Sequence, residues 1–511
     1  MKSQFAETNL PLFSSSLWRP VEQELSFPPL AESLKVDAVV VGGGITGITA
    51  AYLLQKSGVQ TALIEAKSIL SGATGHTTAK ITSQHGLIYD SLIHNHGDER
   101  AKQYYMANEE ALGFIRETAD LLSISCQLRT QNAYLYASTD SGAEKIHSEY
   151  KAYETLGIPA ELTDSTPLPF SVTSAIRLKN QAQFHPVAYL SGLLKEFVSS
   201  GGFVYEHTRA AELVKSEMPA IVTSEGHKVS ARHVIISSHY PFADFSGLQF
   251  AKLEPERSYI LAARTASPFS EGMYISADDP VRSLRTAEDN GEKLVLIGGE
   301  GHKTGQTEDT YQCYEALAEY GLKYLDASDI RYRWSTQDLK TLDGVPYAGP
   351  ITKQQPNILM TTGYGLWGMT NGTVSAQIAA DSILGKDNPF ADLYSPFRSA
   401  SKSASASQFI KQNTDTAKAF VKGKFNHSNK EVDELQKDEG AKLKVNGQKA
   451  GAYRDTAGNV TLVKPVCTHM GCDLEWNNGD RSWDCPCHGS RFNTDGEILE
   501  GPAVKPLPKI D

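Results

Sequence analysis

From Val36 to Val41 the chain reads V-D-A-V-V-V, an apolar run of strand length. From Ile45 the apolar positions move to helical spacing through Ala50, Ala51, Leu53 and Leu54, and a second apolar run follows from Thr61 to Ile64. Strand, helix, strand within thirty residues predicts a βαβ unit with a buried parallel sheet. Amphipathic helices are predicted over Tyr104 to Leu122 and about Ala143 to Leu156. Phe184-His185-Pro186 opens another through Leu190, Leu193, Leu194 and Phe197, which Gly201-Gly202 ends. Strands are expected at Phe203 to Tyr205, near Ala220 to Thr223 and near His233 to Ser237. Between about 250 and 340 apolar and polar residues alternate, as in Tyr259 to Ala263 and Leu294 to Gly299, the pattern of an antiparallel sheet. After Gly385 the patterning stops, and Ser399 to Ser407 reads S-A-S-K-S-A-S-A-S. Some forty such residues, if flexible, would reach roughly 35 Å. From about Glu431 short strands with Asn/Gly turns, such as those flanking Ala457-Gly458-Asn459, predict a small β-sandwich. The expected organisation is an arm over 1–35 with Pro11, Pro20, Pro28 and Pro29, a large body over 36–388, a linker over 389–428 and a small all-β domain over 429–511.

At 511 residues the chain exceeds what one core serves, in agreement with that division. A composition 40% hydrophobic and 21% charged is globular. The net charge of -11 argues against a nucleic-acid partner. No stretch approaches eighteen uninterrupted apolar residues, so no membrane span is expected. The first residues lack both a charged start followed by an apolar core and a twin arginine, which leads to the expectation of a cytoplasmic protein. Of six cysteines, Cys126 and Cys313 stand alone and are expected to be small buried thiols.

Two stretches carry chemistry. Gly42-Gly43-Gly44-Ile45-Thr46-Gly47 follows the first strand, and Glu65 ends the second. In that context Gly42 permits the tight turn, Gly44 lets a pyrophosphate approach the backbone and Gly47 lets the helix pack closely. Glu65 is placed to accept a hydrogen bond from the adenosine ribose, so a dinucleotide is expected here. The second stretch is C-T-H-M-G-C from Cys467 and C-P-C-H-G-S from Cys485. Read as C-x-H and C-x-x-H, it offers Cys467 and Cys485 as thiolates to one iron and His469 and His488 as imidazoles to another. A structural zinc site built from the four cysteines is the alternative, although zinc knuckles prefer C-x2-4-C pairs.

The second stretch resembles a Rieske [2Fe–2S] site. The resemblance implies a disulfide between Cys472 and Cys487, a hydroxyl from Ser490 to a cluster sulfide, close backbone approach at Gly489, and a covering loop at Gly501-Pro502-Ala503. Phe492 stands where the respiratory proteins carry tyrosine, which implies a lower potential. Ser71-Gly72-Ala73-Thr74-Gly75-His76 resembles the second phosphate loop of the D-amino-acid-oxidase superfamily, implying FAD rather than NAD and bringing Thr74 and His76 to it. His76 matches a histidine that in some members bonds the flavin covalently; the departure at Thr77-Thr78-Ala79-Lys80 leaves a lining role open. The resemblance extends to Trp334 through Gly349 and to Ile358 onward, where Gly363, Gly368, Met369 and Thr370 join the flavin-binding set and Tyr364 and Trp367 the pocket wall. It implies FAD-binding parts at about 36–90, 185–245 and 340–388 and a substrate sheet at about 250–340. The fold class is then α/β plus β: a Rossmann-like FAD-binding domain, an antiparallel-sheet substrate domain of D-amino-acid-oxidase type, and a small all-β Rieske domain. Amino-acid-oxidising relatives grip the substrate carboxylate with arginine where Gln337 and Asp338 stand here. Asp338 would favour a cationic amine, or is a solvated turn residue; Arg282 and Arg285 are the remaining candidates for an anion grip. His239 is a further candidate near the cofactor, and His85, His94 and His96 are expected in solvated or capping roles.

FAD takes two electrons as a hydride, and a Rieske cluster passes them singly. The expected function is dehydrogenation of an amine or amino acid, with electrons leaving through the cluster to an external acceptor. The alternatives are reverse flow, in which a ferredoxin-like donor feeds through the cluster a flavin that reduces a substrate or activates oxygen, as in a reductase or oxygenase, and a non-catalytic electron carrier or redox sensor.

Overall fold

The computed structural model describes residues 10–18, 25–242, 252–398 and 430–510. Strands Gln355–Thr362, Lys228–Ile236, Leu34–Val41, Thr61–Ile64 and Phe203–Tyr205 lie side by side and parallel in that order, and Tyr347–Thr352 adds an antiparallel edge. Ala38 and Val40 face helices Ile45–Lys56, Pro186–Ser199 and Gly368–Leu384. Val39 and Val41 face the opposite layer, which includes Ala210 and Ile221 of a short meander. Covered on both faces, the strand has no polar side, which is why it reads as an unbroken apolar run.

A nine-stranded sheet stands beside this unit, in the order Ala327–Thr341, Leu253–Thr265, Glu292–Lys303, Arg282–Asp289, Met273–Ser276, Arg129–Ala137, Ser174–Gln183 and Lys80–Ile81, with Ala160–Thr163 on Ser174–Gln183. The alternation over 250–340 foretold five of these strands. It did not show that Arg129–Ala137 and Ser174–Gln183 extend the sheet, nor that the helix Tyr311–Leu325 interrupts the run. That helix packs Tyr314 and Leu317 onto Tyr259, Leu261 and Ile297 of the sheet.

Just past 388, Phe390, Leu393 and Tyr394 are buried and Arg398 pairs with Asp343, so the large body continues to the last residue described before the linker. Most of the expected linker, 399–428, lies outside the described residues. The final domain has sheets of three strands (Glu439–Val445, Gln448–Arg454, Val460–Val463) and four (Glu475–Asn477, Ser482–Asp484, Arg491–Phe492, Ile498–Glu500). Leu474, Trp483, Phe492 and Leu507 fill its core around the four cysteines. Among the described residues no helix is long and apolar enough to cross a membrane.

Candidate active site and cluster centre

At the carboxyl end of the parallel sheet a cavity of about 1350 Å³ opens beside Gly42, Gly44 and Glu65. This exceeds the roughly 300–1,000 Å³ of an ordinary small-ligand site, and leaves room for a dinucleotide and a substrate together. A Cβ at Gly47 would lie 1.9 Å from the Gly42 carbonyl oxygen, so only glycine lets the helix close on the loop. The Glu65 carboxylate accepts the N–H groups of Gly43 at 2.7 Å and Lys67 at 2.9 Å, which holds it at the mouth of the ribose position. Thr74 Oγ1 accepts the Ile45 N–H at 3.1 Å and ties the two phosphate loops together. His76 lines the cavity with Nδ1 2.9 Å from the Gly72 carbonyl, and its own carbonyl accepts the Trp334 indole N–H at 2.8 Å. Gly363, Gly368 and Met369 line the far end. The helix there starts at Gly368, and the Thr370 hydroxyl lies away from the cavity, 3.2 Å from the Thr82 carbonyl. A glycine cradle, a fixed carboxylate and two joined phosphate loops fit FAD.

Of the expected pocket residues, Asp338, Trp367 and Tyr364 line the cavity. Trp367 stacks on His85, with centroids 4.7 Å apart, and the Tyr364 hydroxyl shares a 2.7 Å hydrogen bond with Thr46. His85 is buried rather than solvated, and burial lowers its pKa to about 3. Asp338 lies within Ala327–Thr341, not in a solvated turn, and what it exposes faces the cavity. Burial pushes its carboxyl up to about 7 against an opposing hydrogen bond from Leu366. Glu256, directly opposite in the strand pair, makes this wall acidic, with Lys340 as its partner.

The arginines do not supply an anion grip. Arg282 shares its face of the strand with Leu284, which packs toward the helix, so its guanidinium pairs with Glu300 over the Tyr320 ring. Arg285 donates to the Ala79 carbonyl at 2.6 Å and lies over Trp18. A cation missed in the sequence does line the cavity. Lys80 is buried and donates to Ser283; burial, reinforced by Arg285, lowers its pKa to about 7. Its only signal was the departure of T-T-A-K from the family pattern.

In the small domain Cys472 and Cys487 form a disulfide, and Cys467 and Cys485 are free. Cys485 Sγ lies within 4.8 Å of both bridge sulfurs, but those two are bonded to each other and cannot be thiolate ligands. This removes a four-cysteine zinc site. What remains is two thiols and two imidazoles, His469 and His488, with ring centroids 5.2 Å apart. A hydrogen bond shared with Cys485 lowers the Cys467 thiol to about 7, aided by the His469 and Met470 N–H groups. The same bond and burial push Cys485 well up against the N–H groups of His488 and Cys487, so this pair shares a proton until a metal displaces it. Burial lowers His488 to about 4, keeping its ring neutral as a ligand must be. Ser490 Oγ bonds to Cys467 and accepts the Ala503 N–H at 3.1 Å, joining the covering loop to the ligand loop. The donor set fits a [2Fe–2S] centre with one Cys₂ and one His₂ iron.

The two sites meet at one strand. Along Ala327–Thr341 successive side chains alternate between faces. Trp334 reaches His76, and Asp338 meets Leu366 at the cavity. Arg333 donates to the Gly479 carbonyl at 2.8 Å, Ser335 to Asp480, and Gln337 to the Gly489 carbonyl at 3.1 Å, all in the small domain. Arg257, on the neighbouring strand opposite Gln337, bonds Glu500 at 2.7 Å and lies 3.7 Å from Asp480. Arg491 completes the cluster of charges with Asp480, Asp484 and Glu500. Burial raises the Glu500 pKa, but Arg257 and Arg491 outweigh it and hold the carboxyl at about 2. His239 lies near Glu500 and borders the cavity; burial lowers its pKa, with Glu500 opposing.

Nucleotide cradle, roof sheet and Cys₂His₂ loops define a flavin-dependent oxidoreductase with an attached iron–sulfur domain. The chain belongs to the DAO family of FAD-dependent oxidoreductases, whose family model matches residues 37–382, and residues 427–511 match the Rieske [2Fe-2S] domain. FAD and a Rieske cluster are therefore its cofactors. Protein YhfW of Bacillus subtilis (strain 168), named for its Rieske 2Fe-2S centre, is 43% identical over 494 residues, 97% of each chain. Gamma-glutamylputrescine oxidoreductase of Escherichia coli (strain K12) is 24% identical over 71% of this chain and 86% of its own. Glycine oxidase from Geobacillus kaustophilus shares the fold over 72% of this chain and 100% of its own, with TM-score 0.61 at 17% identity.

Proposed function

We propose that the protein dehydrogenates an amine or amino acid and sends the electrons singly through its Rieske centre to an external one-electron acceptor. Bound in the cavity, FAD supplies a hydride acceptor for a C–H beside an amine nitrogen, and the cluster supplies a one-electron relay. Per turnover the substrate loses a hydride and a proton to become an imine, which water hydrolyses. Two equivalents of acceptor each take one electron, and two protons are released.

The chain's own contribution is placement and charge. Asp338 and Glu256 make the substrate wall attractive to an ammonium group, while Arg282 and Arg285 are engaged elsewhere. The observation that carries the reading is the shared strand, with the flavin cavity on one face and a cluster loop hydrogen-bonded to the other. A sheet layer is about 10 Å thick, which supports a short path between the two centres. The test is anaerobic mixing of holoprotein with a panel of primary and secondary amines and amino acids. Flavin bleaching followed by the EPR signal of a reduced cluster is expected. Bleaching by no amine, together with flavin reduction by a reduced ferredoxin, supports reverse flow instead.

A further inference from the structure

Position 337 is where the resemblance led to a substrate-gripping side chain, yet Gln337, at the edge of the cavity, directs its amide to the small domain. Its amide N–H donates to the Gly489 carbonyl at 3.1 Å, and its carbonyl oxygen accepts the Thr304 hydroxyl at 2.8 Å. The Gly489 carbonyl can only accept, which fixes the NH₂ end of the amide toward the loop and leaves the amide oxygen to accept from the Thr304 hydroxyl. Gln337 is 2% exposed and Thr304 wholly buried, so neither bond competes with water. The approach is close on both sides. A Cβ at Gly489 would lie 2.7 Å from Pro255 Cβ and 2.9 Å from Gln337 Oε1, and one at Gly305 would lie 2.8 Å from Pro486 N. Gly489 follows the ligand His488 directly, and Pro486 sits between Cys485 and Cys487. The two ligand loops are thus unlike in their surroundings: Cys485 to Gly489 is buried against the roof sheet, whereas Met470, beside His469, is 52% exposed.

We propose that Gln337 is a positioning residue for electron transfer: it clamps the His488 loop to the roof sheet and makes that side of the cluster the one that faces the flavin. This rests on the proposed flavin-to-cluster route and deepens it. Gln337 touches neither substrate nor reacting atoms in this role; it sets the distance between the centres. Without its bond the buried Gly489 carbonyl loses its donor, and the ratio of docked to open loop is expected to fall about tenfold.

The test uses holoprotein carrying Gln337→Leu, similar in size but without polar atoms, and Thr304→Val, which removes only the hydroxyl that donates to the Gln337 amide oxygen. Two quantities are read: amide hydrogen exchange over 485–489, and the growth of the reduced-cluster EPR signal after the flavin alone is photoreduced by a light flash with EDTA as sacrificial electron donor. Flavin content and cluster g-values report that each variant is folded and loaded. The expected result is about tenfold faster exchange at 485–489 and slower transfer in Gln337→Leu, with a smaller change of the same sign in Thr304→Val. If wild type transfers electrons and both variants match it in rate and exchange, the clamp is refuted while the flavin-to-cluster route stands. If flash-reduced wild type never reduces its cluster, the route fails and the positioning role falls with it.

Discussion

Replacing Arg257 with methionine removes the guanidinium at the centre of the buried charges between the two domains, at nearly constant volume. Glu500 then keeps Arg491, at 3.2 Å, as its remaining close cation, and Asp480 loses one of two. The fall of the Glu500 pKa from 4.5 to about 2 is worth about 3 kcal/mol at neutral pH. Arg257 stands ahead of Arg491 among the cations responsible, so we expect Arg257→Met to cost about 2–4 kcal/mol, within reach of the about 3–5 kcal/mol found when one member of a buried ion pair is deleted. The pH dependence has a definite sign. A carboxyl with a depressed folded pKa stabilises fully above its unfolded value and loses that stabilisation as pH falls toward the folded value. The Glu500 contribution should therefore drop from about 3 kcal/mol at pH 7 to about 2 kcal/mol at pH 3.5. Urea unfolding of holoprotein at both pH values, followed by tryptophan fluorescence, measures the gap between wild type and variant. Adding Glu500→Gln closes a double-mutant cycle, with an expected coupling of about 2–3 kcal/mol. A gap below about 1 kcal/mol at pH 7, or one that does not narrow on acidification, would refute the assignment of these charges to the domain junction.

Three further outcomes follow from the same geometry. Asp338 has a folded pKa raised from 3.8 to about 7, so its cost to the fold builds up between those two values and levels off above them; Asp338→Asn should be little more stable than wild type at pH 4 and more stable by about 2–4 kcal/mol at pH 8, as read by urea midpoints. The same ionisation should strengthen binding of an amine cation, so the affinity of a non-oxidisable amine, read by flavin difference spectra, should rise between pH 6 and 8 in wild type and stay level in the variant. Gly47→Ala should yield protein with little bound flavin, visible as a collapsed ratio of flavin to protein absorbance, because its Cβ would meet the Gly42 carbonyl. Replacing Cys472 and Cys487 with serine removes a bridge of sequence separation 15 and should lower small-domain stability by about 3 kcal/mol in chemical denaturation, with the cluster lost at lower urea than in wild type.

The two cofactor motifs were legible because each is nearly local: glycine loop, helix and Glu65 span twenty-four residues, and each pair of cluster ligands sits in one short loop. The parallel strands were legible because burial on both faces leaves an unbroken apolar run. The junction was not. Gln337 meets Gly489 across 152 residues of sequence and Arg257 meets Glu500 across 243, and neither pair has a periodicity to betray it. Arg282 and Arg285 misled for a related reason. Residue type indicated an anion site, while their targets, Glu300 and the Ala79 carbonyl, are set by strand orientation and by a chain segment two hundred residues earlier. Lys80 escaped notice because a lysine held at an interior wall looks, in one dimension, like any surface lysine.

The alternation along Ala327–Thr341 also constrains how this gene can change. Deleting one codon between those for Arg333 and Asp338 would invert the facing of every later side chain in the strand, turning Asp338 outward to the iron–sulfur module and bringing Gln337 inward to the substrate. A single such lesion would damage both halves of the molecule together, whereas the same deletion within the serine-rich tether would spare both. Viable length variation between homologues should accordingly collect in the tether and be absent from this strand.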